Sequence, residues 1–275
     1  MPDRITLGRL TDDLRRLGLA AGDTVMLHAS IRAIGPLAGG PDIVHRAVAD
    51  VVGAAGTLMM LVGWEDDLFH IERLPAADQQ AYLEELPAFD PATGRAARSF
   101  GVLAEFFRTW PGVRRSRSTT GGFAALGRKA EWLFAGQTLS DYYGFGSPLD
   151  RLCQAGGKVL LLGSDLSNVT LLHFAEYLAQ VPDKRTERHP EVVLVDGRRA
   201  IVQVTALDCS DGIVAWPGGD YFGLITRDYL RACGIAPGKV GNADSYLLDA
   251  ADLANYGARW MERSFAGAPA PAQPA

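Results

Sequence analysis

His173 and Glu176 stand three residues apart in the stretch Val169-Thr170-Leu171-Leu172-His173-Phe174-Ala175-Glu176-Tyr177. The stretch reads as the first turns of a helix, and residues three apart on a helix share a face. A carboxylate beside an imidazole fixes its tautomer and raises its basicity, as a general base requires. The same spacing equally describes a structural His–Glu hydrogen bond, which is the commoner use of such a pair. A metal reading has less support. His-x-x-Glu lacks the second histidine of HExxH, and His28, His45, His70 and His189 supply no ligand spacing, so no metal is expected. There is no G-x-S-x-G elbow, and no cysteine is sequence-paired with a base.

Several elements must position this pair. Lys158–Gly163 reads as a buried strand, and Ser164–Asn168 as the loop that leads into the helix. Upstream, Leu7, Leu10, Leu14 and Leu17 recur at helical spacing up to Gly18. Asp23–His28 reads as a strand, Ala29–Gly40 as a small-residue loop, and Pro41 and Asp42 open a second helix. Thr57–Val62 is the next strand, followed by Gly63-Trp64-Glu65-Asp66-Asp67. Helices alternating with short apolar strands predict an α/β sheet. Ligands in such sheets gather beyond the carboxyl ends of the strands. If the three strands are neighbours, His173, Glu176, Trp64, Asp66 and Ser30 line one cleft. Further on, the pattern predicts helices over 76–86, 101–110 and 150–154, and a strand over 123–126. A hairpin is expected at Val192–Val195 and Ala200–Val204 around Asp196-Gly197, followed by helices over 220–233 and 249–263. The chain reads as one domain over 1–265, with a Pro- and Ala-rich tail over 266–275 expected to be disordered.

Composition narrows the function classes. A net charge of −5 argues against a nucleic-acid footprint and suits cationic ligands. Cys153, Cys209 and Cys233 are widely spaced and odd in number, so neither a disulfide framework nor a thiolate cluster is expected. The start, Met1-Pro2-Asp3-Arg4-Ile5, lacks the apolar core of a signal peptide, and no long apolar run suggests a membrane span. A cytoplasmic protein is expected. Glu65, Asp66 and Asp67 beside Trp64 offer a cation-binding surface. The basic, hydroxyl-rich Arg114-Arg115-Ser116-Arg117-Ser118 offers donors for phosphate, although each of these segments equally describes a solvated loop.

Taken together, ordered segments of the chain resemble the aminoglycoside 3-N-acetyltransferase family. They are Val25–Gly35 with Gly39-Gly40, Gly56–Met60 with Gly63-Trp64, Phe89-Asp90-Pro91-Ala92-Thr93, Arg115-Ser116, Ser147-Pro148-Leu149, Leu160–Gly163, Thr170–Glu176 and Lys239–Leu247. The resemblance implies a central mixed sheet flanked by helices, an antibiotic N-acetyltransferase-like α/β fold that is not GCN5-like. It implies acetyl-CoA as donor and the 3-amine of a 2-deoxystreptamine ring as acceptor, hence a cationic aminoglycoside partner and antibiotic resistance. His173 is then expected as the base, Glu176 as its orienting acid, and Thr170 as a hydroxyl for the thioester carbonyl. His28, Ala29, Ser30, Ile31, Arg32 and Gly35, with Arg115 and Ser116, are expected around the pantetheine and phosphates. Trp64, Glu65, Asp66, Asp208 and Asp211 are expected on the acceptor side. A homodimer stays open.

Two departures accompany the resemblance. The family usually reads Arg-Ser-x-His-Pro-x-x-Ser, where this chain has Arg115-Ser116-Arg117-Ser118-Thr119-Thr120-Gly121-Gly122. After the hairpin, Thr205–Gly212 carries fewer acidic residues than relatives often do. Alternative readings are therefore an acetyltransferase of the same fold acting on another amine, or a non-catalytic aminoglycoside-binding protein.

Overall fold

A computed structural model describes residues 4–266, so the tail expected over 266–275 lies outside the described residues from 267 onward. The first half of the chain runs α1 (Leu7–Leu17), β1 (Thr24–Ala29), α2 (Ile31–Ile34), α3 (Asp42–Val52), β2 (Thr57–Leu61), α4 (Ala76–Glu85), α5 (Val102–Arg108), β3 (Arg114–Arg115), β4 (Phe123–Gly127) and α6 (Ala130–Phe134). The second half runs α7 (Pro148–Gln154), β5 (Lys158–Leu162), α8 (Leu172–Leu178), β6 (Thr186–Val195), β7 (Arg198–Leu207), α9 (Tyr221–Ala232), β8 (Gly238–Val240), β9 (Ala243–Asp249) and α10 (Ala250–Ser264).

Seven strands form a mixed sheet in the order β3-β4-β2-β1-β5-β9-β8. The three strands read from the sequence are neighbours: β1 pairs in parallel with β2 on one side and β5 on the other. Their side chains alternate between the two faces, as the pleat requires. Met26, Met59, Val159 and Leu161 enter a core shared with residues of α7 to α10. Val25, Leu27, Leu58, Met60, Leu160 and Leu162 enter a second core with α1, α3 and α5. Because both faces are covered, these strands read as continuous apolar runs rather than alternating ones. Local signals set the helix ends. Thr6, Ser147, Asp220 and Asp249 cap α1, α7, α9 and α10 through their side-chain oxygens.

The hairpin β6–β7 stands apart as a two-stranded sheet. It runs ten residues per strand, further than its apolar residues alone predict, because Thr186–Glu191 pair with Gln203–Leu207 and Val202 although several of these are polar. Its Val192 and Val193, in the half nearer the turn, pack with Trp64, Leu68, Ile71, Leu86 and Phe89 in a third, smaller core. No helix among the described residues is long and apolar enough to cross a membrane.

His45 on α3 is 1% exposed, and neither ring nitrogen has a partner. It packs against Phe107 and Trp110 at ring-centroid distances of 5.0 and 6.2 Å. Burial pushes its imidazole down from 6.5 to about 4. In the unfolded chain the ring takes up its proton near pH 6.5, and in the folded chain only near 4. Its neutral form is therefore tolerated at neutral pH, and stability is lost as pH falls through that window. The His45→Leu variant should escape up to roughly 3 kcal/mol of the destabilisation that the parent suffers between pH 7 and 4. Denaturant titrations of both proteins across that range check this, and parallel losses would refute it.

Candidate active site

The carboxyl ends of β1, β2 and β5 open onto a cleft of about 780 Å³. Gly163 lets β5 leave the sheet there, with φ of 62° and a Cβ position only 2.5 Å from the Ala33 methyl, which a larger residue could not share. The loop then leads to α8, which starts at Leu172 rather than at Val169. Thr170 accepts the His173 backbone N–H through its carbonyl at 3.0 Å and lines the cleft.

His173 Nδ1 lies 2.9 Å from Glu176 Oε2. Glu176 is 1% exposed, and its other oxygen accepts the hydroxyl of Tyr221 from α9. That same hydroxyl accepts the backbone N–H of Ile213 at 3.2 Å. A carboxylate that only accepts makes Nδ1 the protonated ring nitrogen, so the unprotonated Nε2 is the atom available to the cleft. Tyr143 stacks on the imidazole at 4.8 Å and 7°, and the Phe222 edge meets it at 4.7 Å. The ring is thus held in one orientation by a hydrogen bond and two aromatic contacts. The arrangement can remove a proton from a nucleophile bound in the cleft.

A family model described as aminoglycoside 3-N-acetyltransferase matches residues 26–262. This chain belongs to that family. The aminoglycoside N(3)-acetyltransferase III of Pseudomonas aeruginosa is 45% identical over 94% of both chains. The structure of AAC-IIIb as a binary complex with CoASH superposes with a TM-score of 0.88 at 40% identity, covering 98% of this chain and 100% of that one. The structure of AAC-VIa bound to sisomicin superposes with a TM-score of 0.88 at 38% identity, covering 95% of this chain and 99% of that one.

The residues expected around the donor divide. His28 and Ala29 line the cleft. Ser30 instead accepts the Ala33 N–H at 3.3 Å to cap α2, and neither it nor Ile31, Arg32 and Gly35 reaches the cleft lining. Arg115 and Ser116 depart most from expectation, because they line a different cavity of about 1160 Å³ beneath the hairpin tip. The Arg115 guanidinium donates to the carbonyls of Gly94 and Gly63 and lies 4.8 Å over the Phe89 ring. Ser116, 2% exposed, accepts the Phe123 N–H at 3.0 Å. Both brace the β3–β4 connection: the terminal nitrogens of Arg115 and the Ser116 hydroxyl oxygen are committed to backbone groups, while Arg115 Nε is buried without a partner among the described residues. Of the altered loop that follows them, Thr120 reaches the cleft. Gly121 admits the Tyr142 ring, which a Cβ would meet at 2.5 Å.

On the acceptor side, Trp64 and Glu65 line the cleft and Asp66 does not. Asp67 takes its place, with burial pushing its carboxyl up from the ordinary value. Glu65 is paired with Arg98 at 3.0 Å. Asp208 is consumed locally, accepting the backbone N–H groups of Ser210 and Asp211, both at 3.0 Å, while Asp211 is exposed. Cys209 and Ser210 line the cleft in their stead. Sequence reasoning missed Tyr143, Tyr221 and Phe222. The one available signal was the aromatic pairing in Tyr142-Tyr143 and Tyr221-Phe222, which spacing alone does not connect to His173.

Tyr221→Phe removes a donor from a buried carboxylate and an acceptor from a buried N–H. A stability loss of about 1–3 kcal/mol is expected. Chemical denaturation measures it, and an unchanged midpoint would sink the assigned role of this hydroxyl.

Proposed function

We propose that this chain catalyses acetyl-CoA-dependent N-acetylation of the 3-amine on the 2-deoxystreptamine ring of an aminoglycoside, and that it thereby confers resistance. The observation that carries the reading is the His173–Glu176–Tyr221 array with its free imidazole nitrogen facing a cleft that has acidic residues on one wall. Family membership over most of the chain supports the same reaction. The intact array favours catalysis over a binding-only role.

The donor's fit is supported by polar atoms still unpaired in the cleft. His28 Nε2 and Ser164 Oγ are buried there without partners among the described residues, and burial lowers the His28 imidazole to about 4, keeping it neutral. Arg98 stands at the rim with a largely exposed side chain. Such groups match the amides and phosphates of coenzyme A. Its thioester supplies the acetyl group.

The residues then act as follows. His173 Nε2 takes the proton of the attacking amine as the C–N bond forms. Glu176 accepts from Nδ1 and offsets the charge that develops on the ring. The Thr170 hydroxyl serves the carbonyl oxygen as it gains negative charge. As the C–S bond breaks, the proton held by His173 passes to the departing sulfur. Fixing both reactants in one cleft supplies much of the remaining rate.

Incubating sisomicin or gentamicin with acetyl-CoA and the protein should add one acetyl group, placed on the deoxystreptamine 3-amine by fragment masses. Acetylation at another amine would overturn the regiochemistry. His173→Ala should lower turnover by about 10²–10⁴-fold while the protein stays folded. Near-parental turnover in that variant would remove His173 as the base.

A further inference from the structure

Proton transfer to His173 puts a full positive charge on a ring whose side chain is only 17% exposed. The amine N–H bond breaks, the Nε2–H bond forms, and the imidazolium persists until its proton passes to the departing sulfur. Desolvation opposes that charge, so whatever stabilises it lowers the barrier. Glu176 meets the ring in its own plane, through Nδ1. The faces of the ring need other partners.

Tyr143 covers one of them. Its ring centroid lies 4.8 Å from that of the imidazole, with 7° between the planes. Phe222 approaches at 67°, so of these two aromatics only Tyr143 lies parallel to the imidazole. An aromatic face is the negative part of the ring quadrupole and attracts a cation within about 6 Å of the centroid. A neutral imidazole draws little from that field, whereas an imidazolium draws much more. The contact is therefore stronger at the transition state than before it. Burial holds the Tyr143 hydroxyl well above its ordinary value, with Cys209, Asp67, Glu187 and Tyr177 adding to the rise, so the ring stays a neutral phenol.

The stack is braced from behind. Tyr143 is 5% exposed, and Tyr142 and Phe123 pack against it at 4.8 and 6.1 Å, each with 78° between the planes. Tyr142 is pinned by its hydroxyl, which donates to Glu187 at 2.6 Å, and it fills the space that Gly121 leaves. Gln137 Nε2 donates to the carbonyls of Gly121 at 2.8 Å and Tyr142 at 3.3 Å, so one amide ties the altered loop to the aromatic pair. The Asp141 N–H anchors the same turn on β7 by donating to the Thr205 carbonyl at 3.0 Å. Little freedom is left for Tyr143 to slide away as the charge develops.

We propose that Tyr143 is a positioning residue for acetyl transfer that acts through His173: beyond holding the imidazole in one orientation, its π-face stabilises the imidazolium formed as the amine attacks. This role rests on His173 being the base, and it deepens that reading. Because the neutral ring benefits little, the effect falls on kcat and not on KM.

The test replaces Tyr143 with Phe, and then with mono-, di- and trifluorophenylalanine. These keep the shape of the ring and progressively drain electron density from its face. The hydroxyl is absent throughout the series. From Phe to trifluorophenylalanine, kcat should fall stepwise by about tenfold in total. KM for acetyl-CoA and for sisomicin should stay within about twofold. A ring that merely packs against His173 would give a flat kcat, since its contacts do not change, and that result overturns the proposal. A loss confined to KM overturns it too. Tyr143→Leu fills the space without a π-face and should be at least as slow as the trifluoro variant; a Leu variant as fast as the Phe variant would refute the role. Should the Phe series fail to fold, mono- and difluorotyrosine at position 143 carry the same comparison with the hydroxyl retained. His173→Ala separates the two readings: near-parental turnover there removes the base, whereas a flat fluorine series beside an inactive His173→Ala removes only the role of Tyr143.

Discussion

Glu176 is a carboxylate with almost no access to water, and the site depends on how that constraint is met. A buried charge must be hydrogen-bonded on both oxygens or it neutralises. His173 supplies one partner from the same helix, and Tyr221 supplies the other from α9. The second bond ties α8 to the start of α9, and the Ile213 N–H donates into the same hydroxyl. Satisfying one buried acid therefore fixes three chain segments together. The imidazole inherits that rigidity, which suits a base whose alignment cannot be restored by solvent.

The sheet supplies the frame for this arrangement. Three parallel strands side by side bring three loops to one edge, and the antiparallel strands on either side deliver two more connections there. The loop before β4 brings Thr120 to the cleft in this way. Both faces of the central strands are buried under helices, so their register leaves little freedom. A slip of one residue would drive Met26 and Val159 into the wrong core and carry His28 away from the cleft.

Much of this was legible in the sequence because it rests on local pattern. The central strands, most of the helices and the His173–Glu176 pair follow from apolar runs, caps and i,i+3 spacing. The strand β9 did not stand out, because its buried positions include Ala243 and Ser245 among polar neighbours, and pairing with β5 is what makes it a strand. The position of Arg115 was not legible in the sequence for a chemical reason. A guanidinium fork that suits phosphate also suits two carbonyls, and only the fold decides which it meets. Tyr143 and Tyr221 were hidden because their roles depend on contacts between distant segments.

The third core separates the Trp64–Phe89 wall from the packing around His173. Trp64, Leu68, Phe89, Val192 and Val193 pack among themselves, while the helices holding His173 belong to the large core on one face of the sheet. The half-buried Leu139 touches both clusters. Trp64 and Leu68 can therefore change with limited consequence for the packing that aims the imidazole, whereas Glu187 of β6 is tied to it through Tyr142, which packs on Tyr143. The loop that departs from the family pattern, Arg117–Gly122, lies beside this wall and contacts it through Thr120 and His189. The departure from the family pattern thus lies beside the third core, and the His173–Glu176–Tyr221 hydrogen bonds lie on the other side of that division.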